Sequence, residues 1–305
     1  MELELKRGGR TAKVATHGGE LVSYRDENGL EYIWTGDPAY WPGRNPLLFP
    51  IVGGLKDGKV HIEGKEVSMN RHGFARTSEF SVVGQGEDWA ELELRESGDT
   101  LAVYPYPFRL VVRQQLTDTG FTTSVTVTNT GDKPMPFCLG AHTGFRCPLE
   151  EGEAFTDYEV RFEQKETCPT LVPDANGVDL SRTRPCLKDT DVLPLDYKYF
   201  DEMDTLIFRG LKSRQVELHS KKSGKGVRVR FHDFPLLALW SMPGKAAPYV
   251  CIEPWHGMSA EAGEGPELGD KAFCITLAPG ESRTLGYQVD TVSLPDGKEF
   301  LHHVL

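Results

Sequence analysis

Polar and apolar residues alternate with a period of two along most of this chain. "AELELRES" (90–97) alternates cleanly, as does "KGVRVRF" (225–231). Such alternation places one face of an extended strand in a core and the other in water. "FRLVVRQQLTDTGFTTSVTVTNTGDKP" (108–134) predicts two strands around the turn "TDTG", then the turn "NTGDKP". "KGVRVRFHDFPLLALWS" (225–241) predicts two more, broken near 233–235, and "YQVDTVSL" predicts another near the C-terminus. No segment repeats apolar residues at i, i+3, i+4 and i+7 over three turns, so long helices are not expected. Short helical turns fit "PAYW" and "LDYKYF". The 32 glycines and 20 prolines punctuate the strands at short intervals. Many short strands without interleaved helices predict an all-β fold, a large sandwich of antiparallel sheets packed face to face.

No Pro/Ser/Gly tract or charge block divides residues 1–305, which read as a single domain. The least regular region, 146–204, is rich in acids and prolines and reads as an insertion or long connection. An apolar fraction of 39% with 10% aromatics supplies a sizeable core. The formal net charge of −11 argues against nucleic acid as a partner, because an acidic surface repels phosphate backbones. The longest apolar run, "FPLLALW" (234–240), is far too short to span a bilayer, so no membrane role is expected. The N-terminal segment lacks the apolar stretch of a secretion signal. Six cysteines without a C-x-x-C pair read as reduced thiols of a cytoplasmic protein, although an even count also permits disulfides.

Three groups stand at apolar strand ends: His72 in "NRHGFAR" (70–76), His142 in "CLGAHTGF" (138–145) and Glu253 in "VCIEPWHG" (250–257). Small neighbours there let a ligand approach the backbone and ring closely. A metal centre is not expected, since His302 and His303 form the one close histidine pair and stand at the terminus, although distant strands can also bring ligands together. No G-x-S-x-G elbow occurs, and the glycines of "GEGPELG" and "VGGLKDG" lack a strand–loop–helix setting, so no cofactor is expected. Trp34, Trp41, Trp240 and Trp255 lie near strand ends or turns. Tryptophans of a sandwich are most often core, but an aromatic platform beside fixed polar groups also suits the C–H face of a sugar.

"GLEYIWTGDPAYWPGRNPLLFPIVGGLKDGKV" (29–60), "RHGFAR" (71–76), "LGAHTGF" (139–145), "LDYKYFDEMDTLIFRGLKSRQVEL" (195–218) and "VCIEPWHG" (250–257) are similar, in order and character, to segments of one superfamily. The chain resembles the aldose 1-epimerase (galactose mutarotase) superfamily, and most of all its LacX-like bacterial branch, over about residues 5–290. The resemblance implies a β-sandwich of the galactose mutarotase type with an open sugar cleft. It also implies exchange of α and β anomers of an aldose without a cofactor. His142 matches the family's acid and Glu253 its base. His72 matches a substrate-binding histidine, and Asp204 an acid that holds sugar hydroxyls. Arg44 or Arg76 would anchor the ring, with Trp240 among the aromatic candidates for the sugar face. The implied partner is a free or phosphorylated hexose, on a monomer or a homodimer. Arg44, Arg71 and Arg76 are candidates for a phosphate pocket.

Three positions depart from the family pattern as matched: Gly54 where many relatives carry arginine, Thr143 where many carry proline, and His256 after "EPW". Two other readings stand beside the epimerase. One is a carbohydrate-binding protein that kept the cleft and lost turnover. The other is a glycoside hydrolase built on Glu253 and Asp204.

Overall fold

The computed structural model describes residues 1–174 and 177–293. His302 and His303 lie outside the described residues. The alternating segments form strands where the pattern places them. Phe108–Leu116 and Gly120–Asn129 pair antiparallel across the "TDTG" turn. Lys225–Arg230 and Leu236–Trp240 take up the two halves of the 225–241 segment, and Ser282–Ser293 the C-terminal one.

Fifteen strands join in one sheet. Its order begins with Leu47–Leu48, Leu139–Ala141, Tyr249–His256, Leu236–Trp240 and Thr205–Arg209, and ends with Phe108–Leu116, Trp89–Arg95 and Ser81–Gln85. The two ends of that order meet. Phe49, next to the first strand, packs on Phe108 near the far end with ring centroids 5.3 Å apart. One continuous core takes in Leu92, Leu110, Val125, Val160, Leu218, Val227, Leu239 and Ile252. Strands so far apart in the order share a core because the sheet turns back on itself, which makes the sandwich. A three-stranded sheet, Glu2–Arg7, Arg10–Ala15 and Glu20–Arg25, adds Leu5, Val14, Leu21 and Tyr24 to the same core.

Two expectations need correcting. The region 146–204 is not an irregular connection: Tyr158–Asp174 and Gly177–Pro194 pair as an antiparallel hairpin. Its register shifts four times, between Arg161 and Glu166, Glu166 and Cys168, Cys168 and Thr170, and Leu171 and Pro173. Each shift breaks the period-two pattern, and Pro169, Pro173 and Pro185 hide the strands further. "PAYW" forms a turn rather than a helix. Asp37 accepts the Ala39 N–H on its carboxylate and the Tyr40 and Trp41 N–H groups on its carbonyl. Pro42 then offers no N–H to continue. The "LDYKYF" turn does become a helix, Lys198–Met203. All six cysteines are free thiols, four of them buried.

Candidate active site

The strand Tyr249–His256 is buried on both faces. Its even-numbered residues, such as Val250 and Ile252, enter the main core. Tyr249, Cys251, Glu253 and Trp255 therefore project from the other face. Across the neighbouring strands the same face shows the row Glu253, Ala238, Ile207, Leu171. Ala238, directly opposite Glu253, presents only a methyl group beside the carboxylate. On the other side Gly140 pairs with Trp255 and Thr143 with Ile252. One register covers both pairs and sets His142 opposite Glu253. The regular ladder lapses at His142, beside Pro254, which has no N–H to give. Strand pairing thus brings together two groups remote in sequence: His142 Nε2 lies 3.4 Å from Glu253 Oε2.

Both groups line a cleft of about 560 Å³ with His72, Arg76, Asp204 and Trp240. A groove of about 630 Å³ beside Glu79, Glu93 and Asp99 is roomier, but neither His142 nor Glu253 lines it. The pair is almost dry, with Glu253 1% exposed and His142 7%. Burial disfavours charge on each. It pushes the Glu253 carboxyl well above the usual carboxylate range and His142 down to about 3. The Trp255 indole, two residues along the same face, partly offsets the shift at Glu253. Glu253 Oε2 and His142 Nδ1 have no hydrogen-bond partner among the described residues.

Aromatic rings fix the imidazole. Trp41 stacks on it with centroids 4.8 Å apart, and Trp240 meets it edge-on at 5.5 Å. Trp34 holds the Trp41 loop by donating its indole N–H to the Trp41 carbonyl at 2.8 Å. The small residues beside His142 make room for these rings, not for a ligand. A Cβ on Gly144 would come within 3.1 Å of both Trp34 and Trp41, and one on Gly140 within 2.9 Å of Trp255.

His72 sits in a tight turn with φ of 69°. The Gly53 N–H donates to its Nδ1 at 3.1 Å, leaving Nε2 for a ligand. Its ring stands edge-on to His142 at 5.6 Å, and burial holds its pKa well below the ordinary histidine value. Asp204 ends the helix Lys198–Met203 at φ 59°, ψ −68°, a strained conformation for a non-glycine residue that exposes its carboxylate at the cleft mouth. Arg76 is half-buried, and its Nε has no partner among the described residues. Burial first, then the nearby Arg71, lowers its pKa.

Arg44 is not part of the cleft. Its Nε donates to the Thr35 carbonyl at 2.8 Å and its own carbonyl accepts the Gly144 N–H at 2.7 Å, so it braces the loop under Trp41. Arg71 is the second cleft arginine. It reaches the space above Gly54, where an added Cβ would lie 3.8 Å from its guanidinium. The arginine lacking at 54 thus has a cationic substitute nearby. The other departures face elsewhere. Thr143 donates to Asn45 at 2.7 Å in a buried polar knot, and His256 Nδ1 meets the Phe273 carbonyl at 2.7 Å.

Ser259 and Cys251 were not among the site candidates named from the sequence. Trp41, an aromatic candidate from its place in the turn "PAYWPG", is the ring that stacks on His142. Ser259 gave no signal; its hydroxyl accepts the Gly54 N–H at 3.2 Å at the cleft wall. Cys251 supplies, with His142 and Glu253, a trio of donor atoms all within 4.8 Å of one another. Spacing along the chain does not reveal the trio, because strand register assembles it.

The large antiparallel β-sandwich thus carries a buried imidazole–carboxylate pair in a polar and aromatic cleft. The family model for aldose 1-epimerase matches residues 1–290, and the chain belongs to that family. It is 38% identical to the plasmid-borne protein LacX of Lactococcus lactis subsp. lactis over 297 residues, 95% of this chain and 99% of that one. Among solved structures it is similar to a galactose mutarotase related enzyme from Lactobacillus acidophilus, with a TM-score of 0.91 at 27% identity, covering 98% of this chain and 100% of that one. A galactose mutarotase-like protein from Lactobacillus casei is also similar, with a TM-score of 0.86 at 27% identity over 96% of this chain and 100% of that one.

Proposed function

We propose that the chain is an aldose 1-epimerase that exchanges the α and β anomers of a hexose or hexose phosphate, with His142 as acid and Glu253 as base. The observation that carries this reading is the 3.4 Å approach of the two groups at the cleft floor. Anomer exchange needs two proton transfers at neighbouring atoms, O1 and O5, both bonded to C1. Glu253 takes the proton of the O1 hydroxyl while the His142 imidazolium protonates O5, and the C1–O5 bond breaks. The open chain rotates about C1–C2, and the reverse transfers close the ring on the other face.

The pair needs one proton between its members. In the open-chain state that proton rests on Glu253 and the imidazole is neutral, the uncharged arrangement that a dry site favours. The ion-pair form that starts ring opening is supported by the Trp41 face against the imidazolium. His72 Nε2 and Asp204 supply a donor and an acceptor for ring hydroxyls. Arg71 and Arg76 favour a substrate bearing an anionic group such as a phosphate.

Polarimetry tests the proposal. Freshly dissolved α-glucose, α-galactose and glucose 6-phosphate should approach equilibrium faster with the protein. Glu253→Gln should slow that rate by about 10²–10⁴-fold, the usual contribution of a positioned acid or base. Sugar binding without acceleration, unchanged by Glu253→Gln, would instead identify a binding protein.

A further inference from the structure

We propose that His142, Cys251 and Glu253 form a binding site for a thiophilic divalent cation, Zn²⁺, and that its occupation blocks the cleft to sugar. Cys251 has no part in the anomer exchange, yet one donor atom from each of the three side chains lies within 4.8 Å of the other two. All three are buried. Cys251 and Glu253 are two residues apart on one strand face, and register brings His142 opposite.

Coordination geometry fits. Zinc bonds to nitrogen and oxygen run to about 2.0–2.2 Å and to sulfur about 2.3 Å, so a tetrahedral site spaces its ligand atoms by about 3.3–3.8 Å. The His142–Glu253 distance of 3.4 Å already lies in that range. Cys251 Sγ needs a movement of about 1.5 Å at most, within reach of a side-chain rotation. Three protein ligands leave the fourth position free, toward the cleft, as in open zinc sites.

The charge balance also fits. On binding, the Cys251 thiol releases its proton to solvent and forms an S–Zn bond. Glu253 binds as carboxylate, losing any proton it holds, and neutral His142 gives its lone pair. The dication then meets one thiolate and one carboxylate, and the buried complex carries no net charge. A hard ion such as Mg²⁺ gains little from a thiolate and an imidazole. The same atoms of His142 and Glu253 would face the sugar, so metal and substrate exclude one another. Only this inhibitory half rests on the anomer-exchange reading; the binding half does not.

The experiment titrates the full-length protein with ZnCl₂ against a chromophoric chelator, and follows mutarotation in parallel. One tightly bound Zn²⁺ per chain is expected, with turnover lost at matching zinc and restored by EDTA, and no effect of MgCl₂. Cys251→Ser and Cys251→Ala, checked for folding by urea unfolding, should each weaken zinc binding. The loss should exceed the 10–100-fold typical of removing a mere outer-shell partner. Each variant's zinc inhibition, read against its own zinc-free rate, should weaken in step. No zinc binding, or binding and inhibition unchanged in both variants, overturns the proposal. Zinc binding that depends on Cys251 in a protein without mutarotase activity would keep the site and refute the enzyme reading. Turnover that zinc does not touch would do the reverse.

Discussion

Arg76 and Arg71 line the cleft, and neither has a carboxylate partner within salt-bridge distance among the described residues. Most other arginines of the chain do, as Arg7, Arg109, Arg113 and Arg230 show. Two unpaired cations side by side, one half-buried, are poor structural elements and good anion ligands. Arg76→Gln tests that distinction. A hydrogen bond from a charged group is worth about 1.5–3 kcal/mol and a neutral one about 0.5–1.5 kcal/mol. The variant keeps an amide donor, so kcat/KM for a hexose phosphate relative to the free hexose should fall about tenfold. The loss should fall on KM, shrink at high ionic strength, and leave kcat on free hexose intact or raised. The last point follows because the charges of Arg76 and Arg71 lower the His142 pKa and so oppose the imidazolium acid. Stability supplies a second readout. Removing a half-buried, unpaired charge should leave the unfolding free energy within about 0.5 kcal/mol of the parent, or raise it. Polarimetric initial rates on both sugars and urea unfolding make the comparison. An unchanged substrate ratio, or a clear loss of stability, would show that Arg76 is a structural residue and that the cleft does not select an anion.

Thr143→Val should cost about 1 kcal/mol by urea unfolding and leave turnover unchanged, since Asn45 Oδ1 keeps the Tyr287 hydroxyl as donor at 3.1 Å. A large fall in kcat would show that position 143 reaches the cleft after all. Gly73→Ala places a Cβ 2.2 Å from the Phe49 carbonyl oxygen at φ 72°, so backbone must move and His72 with it. Its loss of stability should exceed that of an ordinary surface change, about 0.5 kcal/mol, and its KM should rise; an unaffected KM would place His72 outside the binding site. His219 is buried beside Glu159 at 3.4 Å, with Glu217 and Arg161 also facing it, and burial lowers its pKa. The unfolded chain then takes up the proton more readily. The stability His219 confers is full above about pH 6.5 and falls as pH drops from there toward its lower folded value. His219→Asn should flatten the decline of the urea midpoint between pH 7.5 and 5.5, and parallel profiles would contradict a buried neutral ring.

What could be read from the sequence, and what could not, divides along one physical line. A strand that keeps its period of two with one face in the core announces itself, as at 90–97 and 108–129. The hairpin of 158–194 does not, because four register shifts break the period while the ladder continues around them. The site divides in the same way. Glu253 and His142 were visible as polar groups interrupting apolar strands, and the family resemblance implied the roles proposed for them. Their neighbours were legible only where local chain geometry dictates position. Arg44 stands close to the motif in sequence, yet the turn at 37–41 directs its guanidinium to the Thr35 carbonyl. Arg71, next to His72, points toward the room left by Gly54. Cys251 looked like one more apolar strand residue. Only the pairing of Thr143 with Ile252, which sets His142 across from Glu253, shows that the thiol shares their face. Distance along the chain is thus a poor guide to this cleft, and strand parity together with register is a good one. The unused donor on that face, Cys251, is where an anomer-exchange site and a zinc site would compete for the same two side chains.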